Sequence, residues 1–257
     1  MRTNILIGAV IGSILLLIAS CGDNGTGPSG DAGYYPNNEG STWTYKVTDN
    51  SATLATWDKT ETVKGTRDVN GVTCQVIEIT NTAEPNKTSR TFFNDNDTNQ
   101  VDVWAFETLT GGVVENYYSL GQGLPTLKYP CDVGAKWTVY VATGLKPTEI
   151  PFIQFDDDDF DDDGIDDTAD VTITAEVRDQ EDITVAAGTF EDCYEIVYPY
   201  NITVHLSSYG SWTIIVTSNQ WFKPYVGTVK RHTVVDMPYP APDEVFTEEL
   251  TSYNLPS

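Results

Sequence analysis

Hydrophobic and polar positions alternate along most of this chain. Trp43, Tyr45 and Val47 fall on one side of a two-residue period, as do Trp137, Val139 and Val141. Val171, Ile173, Ala175 and Val177 repeat the pattern, and Ile202, Val204 and Leu206 do so again with His205 on the opposite, polar side. A period of two is the mark of a half-buried strand. Strands are predicted at 42–48, 60–66, 72–80, 88–94, 100–107, 112–119, 136–142, 171–178, 193–206, 211–222, 226–235 and 245–253. These segments are rich in Val, Ile, Thr and aromatics and are punctuated by Gly, Asn, Asp and Pro. No 3.6-residue stripe runs for more than two turns. The expected fold class is all-β, mainly antiparallel: a curved sheet, half-barrel or barrel, because so many strands leave edges that must be closed or covered.

The pattern also repeats on a longer scale. Tyr35-Pro36-x3-Gly40-x2-Trp43-Thr44 recurs as Tyr129-Pro130-x3-Gly134-x2-Trp137-Thr138. Cys74 and Cys193 each lead into a Val/Ile-rich strand, and Phe92-Phe93 corresponds to Trp221-Phe222. Two related β units are therefore expected, 34–125 and 126–257, the second enlarged by an acidic insertion at 155–170. One continuous body is favoured, since each unit alone is small.

The first residues belong to targeting rather than to the fold. Arg2 precedes an apolar run, Ile5 to Leu17, that is too short for an ordinary spanning helix. It ends in Ile18-Ala19-Ser20-Cys21, which resembles the lipobox of bacterial lipoproteins. The resemblance implies cleavage of a signal peptide, 1–20, and acylation of Cys21. Three acyl chains hold a membrane where one binds only marginally. Residues 21–33, rich in Gly, Asp and Ser, read as a flexible tether. Gly22 follows the cysteine, with no Asp to signal inner-membrane retention, so an outer-membrane location in the cell envelope is expected.

The charge narrows the company this chain can keep. Its 38 acidic and 14 basic residues give −24. Nucleic acid and anionic headgroups are repelled, and cations are favoured. The YP-x3-G-x2-WTY motif, Val185 to Ile196 (VAAGTFEDCYEI) and Trp221 to Arg231 (WFKPYVGTVKR) together resemble a group of uncharacterised bacterial envelope lipoproteins. That resemblance implies a curved antiparallel sheet akin to the lipoprotein-carrier half-barrel. It brings no catalytic residues with it.

The acidic insertion carries the strongest candidate chemistry. Phe155 to Asp170 holds ten aspartates in sixteen positions. Counted around the lone Gly164, Asp159, Asp161, Asp163, Asp167 and Asp170 spell D-x-D-x-D-G-x-x-D-x-x-D, with the Ile165 carbonyl as a further oxygen. Calcium takes about six to eight oxygens at ~2.3–2.6 Å, and this spacing wraps them about a turn glycine. The loop resembles thrombospondin type 3 and dockerin repeats, although it is single and a strand, not a helix, leaves it. Calcium is thus the expected cofactor, in a structural role. A solvated acidic loop is the bland alternative.

Nothing comparable points to catalysis. The two histidines, His205 and His232, have no nucleophile motif beside them. Beyond Cys21, the thiols Cys74, Cys131 and Cys193 are odd in number and lack metal-binding spacing. The leading expectation is a non-enzymatic, lipid-anchored envelope protein, a calcium-stabilised binding or scaffold module. A carrier of an apolar ligand or lipoprotein, and an envelope polysaccharide hydrolase using paired carboxylates, are the alternatives.

Overall fold

The computed structural model describes residues 34–51, 55–96, 99–150, 155, 157–208, 210–236 and 243–256. The expected signal peptide, the expected tether and Cys21 lie outside them.

Twelve strands pair in one antiparallel sheet. They are β1 (Thr42–Asp49), β2 (Thr56–Val69), β3 (Val72–Asn81), β4 (Lys87–Asn96), β5 (Gln100–Thr110), β6 (Val113–Lys128), β7 (Lys136–Leu145), β8 (Thr168–Val185), β9 (Gly188–Leu206), β10 (Gly210–Lys223), β11 (Gly227–Asp236) and β12 (Glu244–Asn254). Each segment predicted to be a strand is one. Among the described residues one 3-10 turn, Pro147–Glu149, interrupts the series. The strand order is β6-β5-β4-β3-β2-β1-β12-β11-β10-β9-β8-β7. Two six-stranded meanders, each opening on a tryptophan, thus join through β1 and β12. Cys74 sits on β3 and Cys193 on β9, the third strand of each meander. On the fourth strands, β-bulges fall at Phe92/Phe93 and at Trp221/Phe222.

Such a wide sheet cannot stay flat, because each strand pair adds twist. It curls until its edges, β6 and β7, approach, giving a nearly closed barrel. Among the described residues no strand pairing joins those edges. Side chains lace the gap: Trp137 Nε1 donates to the Pro125 carbonyl at 2.7 Å, and the Tyr198 hydroxyl to Thr126 at 3.0 Å.

The inward residues form one core inside the barrel. Trp43, Tyr45, Tyr198, Tyr200, Phe93, Phe222, Leu124 and Leu127 are all buried in one core. Burying each large side chain stabilises the fold by about 1.5–3 kcal/mol. Trp43 Nε1 donates to the Val226 carbonyl, and Tyr45 to Thr228, so their polar ends are satisfied. Burial raises the pKa of Tyr45, Tyr198 and Tyr200, which keeps these phenols protonated.

Val141 departs from the expected pattern. A bulge between Thr138 and Tyr140 shifts the register, so Val139 is buried while Val141 is turned outward. Cys74 and Cys193 are free, fully buried thiols. Burial pushes them up to about 11 and about 12 respectively, which leaves both inert at neutral pH.

The sequence pattern did not disclose an ionic cluster inside the barrel. Lys59 and Glu61 of β2, Arg231 of β11 and Glu248 of β12 are all buried. Lys59 bonds Glu248 and lies 3.0 Å from Glu61, and Arg231 Nη1 donates to Glu248 Oε2 at 2.6 Å. Two cations thus offset two carboxylates, which makes the burial tolerable.

A second, smaller core lies on the outer face of β2 to β5. In β2 the register shifts between Val63 and Thr66, around Gly65 at φ +95. This conformation suits glycine. The extra residue inverts the strand's facing. Val63 points inward, whereas Val69 packs outside with Cys74, Val76, Phe92 and Ala105.

Candidate metal centre

The acidic segment connects β7 to β8 and rests on the end of the β9–β10 hairpin. Apolar contacts hold it there. Phe155 is buried, its ring lies edge-on to Phe160 at 5.4 Å, and Phe160 meets Trp212 of β10 in the same way at 6.0 Å. Asp158 accepts the Thr148 N–H, and Lys146 bonds Asp166 at 2.6 Å. The segment's two ends are therefore fixed before its central carboxylates come into play.

Those carboxylates turn inward around Gly164, whose φ of +85 allows the reversal expected of it. Asp159 caps the turn: Oδ1 accepts the Asp163 N–H at 3.1 Å and Oδ2 that of Gly164 at 2.8 Å. Asp167 is nearly sealed, at 2% exposure, and accepts from Phe160 N–H at 2.8 Å and Ser207 N–H at 2.9 Å. Asp161 Oδ2 accepts the Ser208 N–H at 3.1 Å. Asp161 Oδ1 is buried and has no hydrogen-bond donor among the described residues.

Three of the predicted ligands converge. One oxygen each from Asp159, Asp161 and Asp167 lies within 4.8 Å of the others. Loss of solvent raises the Asp161 pKa, and the neighbouring charges of Asp163, Asp167 and Asp159 add to this against the Ser208 N–H. An acid strained in this way is the group that gains most from a nearby cation.

The other predicted ligands are engaged elsewhere. Asp163 Oδ2 accepts the hydroxyls of Ser207 and Ser208, and those bonds lower its pKa. Asp170 lies within β8 and faces sideways. Its Oδ2 bonds His205 Nε2 at 3.0 Å and its Oδ1 accepts the Gly144 N–H at 3.0 Å, and the first of these chiefly lowers its pKa. The Ile165 side chain is exposed. Asp157, Asp158 and Asp162 stand outside the cluster, and Asp156 lies outside the described residues.

Ser207 and Ser208 were not singled out from the sequence. They sit at the hairpin end, roughly forty residues downstream, and hydrogen-bond three of the loop's aspartates. No local spacing signals such a contact.

His205 belongs to a separate polar line. Ser211 of β10 bonds its Nδ1 at 2.9 Å, and Asp170 of β8 its Nε2. The line runs on through Asp170 to Gly144 of β7, tying four strands together on an outer face. His205 is 43% exposed on its side chain. This arrangement braces the sheet edge beside the acidic loop.

No protein-family model matches the chain. No curated protein sequence matches it either. Two solved structures follow a similar course. One is a presumed exported protein with a YmcC-like fold from Bacteroides fragilis, with TM-score 0.40 and 14% identity, covering 86% of this chain and 98% of that one. The other is a presumed lipoprotein from Parabacteroides distasonis, with TM-score 0.36 and 17% identity over the same shares. At such scores the fold assignment rests on the strand pairing itself.

Proposed function

We propose that this is a non-enzymatic, lipid-anchored protein of the bacterial cell envelope, whose β body is stabilised by calcium at the β7–β8 loop. The observation that carries the metal reading is the convergence of Asp159, Asp161 and Asp167 around a buried Asp161 oxygen that no donor satisfies. Oxygen-only donors suit a hard cation such as calcium rather than a soft one. Each carboxylate oxygen has two lone-pair sites, so those already accepting N–H bonds keep a second for a metal. When bound, the ion would supply positive charge to a cluster of like charges. The chain itself fixes the loop through Phe155, Phe160, Trp212 and the Ser207–Ser208 backbone.

The anchor rests on Cys21 and its flanking residues, and outer-membrane placement on Gly22 after it.

Native mass spectrometry and thermal melting of the full chain, with calcium and after chelation, test the metal. One bound ion per chain and a melting shift are expected. Near 100-fold saturation the ion would add about 2.7 kcal/mol. Equal masses and equal melting temperatures would remove calcium from the account.

A further inference from the structure

A cleft of about 410 Å³ opens on the outer face of β2, β3 and β4, away from the acidic loop. It exists because the Gly65 bulge turns the end of β2 outward, bringing Arg67 to the same face as Val76 and Phe92. In a chain with 14 basic residues against 38 acidic, three cations line this one cleft: Lys64, Arg67 and Arg90.

Two carboxylates face them. Glu107, at 1% exposure, lies beneath and accepts Arg67 Nη1 at 2.6 Å and Arg90 Nη1 at 3.2 Å. Glu78 accepts Arg90 Nε at 3.1 Å and Nη2 at 2.9 Å, and Lys64 Nζ stands 3.5 Å from it. Three positive charges against two negative leave one positive charge over. Arg90 is thereby consumed in holding the floor.

Arg67 is not consumed. Among the described residues its side chain donates only through Nη1, which leaves its Nε and Nη2 N–H groups without a partner. Its guanidinium is also held in place. Its Cζ lies 5.0 Å from the Phe92 ring and 5.4 Å from that of Tyr117, and the side chain is 49% exposed. A guanidinium that is oriented, half-open and supported by rings is pre-organised to receive a planar or tetrahedral oxyanion.

We propose that this cleft binds an oxyanion, the carboxylate, phosphate or sulfate of a small molecule, on the free edge of Arg67 with Lys64 as the second cation. Tyr117, 43% exposed at the rim, gives the rest of that molecule an aromatic surface. The site is independent of the calcium loop. Long-range repulsion from the remaining acidic surface keeps the affinity modest and selects small ligands over polyanions.

The test is titration of the full chain, without and with excess calcium, using inorganic phosphate, phenyl phosphate and benzoate, followed by amide chemical shifts. Saturable binding in the ~0.1–10 mM range is expected, tightest for phenyl phosphate. Shifts should be confined to residues near 64–67, 76–78, 90–92 and 117. Lys64→Gln, at the exposed rim, should keep the melting temperature and weaken binding about threefold, and Arg67→Gln about tenfold or more. Should Arg67→Gln fail to fold, Arg67→Lys serves instead: it keeps the charge but loses the fork, and should also weaken binding. No saturation by ~50 mM, shifts scattered over the surface, or variants that bind like the parent would each overturn the proposal.

Discussion

Arg231 Nη1 donates to Glu248 Oε2 at 2.6 Å in the interior of the barrel, with both side chains under a tenth exposed. The two residues are directly opposed on β11 and β12. Lys59 shares the same Glu248 oxygen from across β1. Removing one member leaves a buried charge without its counter-ion. Arg231→Met is therefore expected to cost about 3–5 kcal/mol in urea unfolding. Adding Glu248→Gln should recover part of that loss, because fewer buried charges then lack a partner. Strict additivity of the two substitutions would show that they are not coupled.

The same pair is expected to contribute to the acid limit of the fold. Burial alone would raise the Glu248 pKa, but Arg231 and Lys59 outweigh it and the net shift is downward. A carboxylate depressed in the folded state stabilises above its unfolded pKa of about 4.3, and that contribution is lost as pH falls through the folded value. The melting temperature should fall steeply below about pH 4, and less steeply in Glu248→Gln. An identical acid limb in both proteins would place the acid sensitivity elsewhere.

Asp161 and Asp170 are predicted to respond in opposite ways. Asp161 has a raised pKa and a buried oxygen without a donor. Asp161→Asn should abolish the calcium-dependent melting shift and, in chelator, melt no lower than the parent, since it relieves repulsion. Asp170 is already held by His205 and Gly144. Asp170→Asn should keep the calcium response. If Asp170→Asn lost it instead, the full five-aspartate motif would be the ligand set.

Gln220 offers a stabilising substitution. It is fully buried, and neither its Nε2 nor its Oε1 has a hydrogen-bond partner among the described residues. Leaving an amide unsatisfied costs about 1–3 kcal/mol. Gln220→Leu, of similar volume, should be neutral or stabilising by up to about that amount when measured by urea unfolding. A loss of more than ~1 kcal/mol would mean that the amide is satisfied in solution.

How far the sequence could be read follows from what each signal depends on. Strand positions were legible because alternation is local and each strand has one inward face. Trp43, Tyr45 and Val47 are all buried. Val141 was misread because a bulge adds one residue and reverses the facing. Lys59 and Glu61 point inward with Val63, and their alternation alone does not single them out. Nothing local distinguishes a polar residue that will meet Arg231 and Glu248 from one that will meet water. In the acidic loop, the turn at Gly164 and the approach of three aspartates followed from spacing. The redirection of Asp163 to Ser207 and Ser208, and of Asp170 to His205, depends on hairpin placement, which no spacing rule contains.

The gap between β6 and β7 gives the wall a direction in which it can yield. Everywhere else, widening the barrel means breaking a ladder of backbone bonds. Across this line, Trp137 and Tyr198 supply side-chain bonds to Pro125 and Thr126. The molecule is thus closer to a rolled page than to a pipe, and any enlargement of its lumen begins where the page's two margins meet.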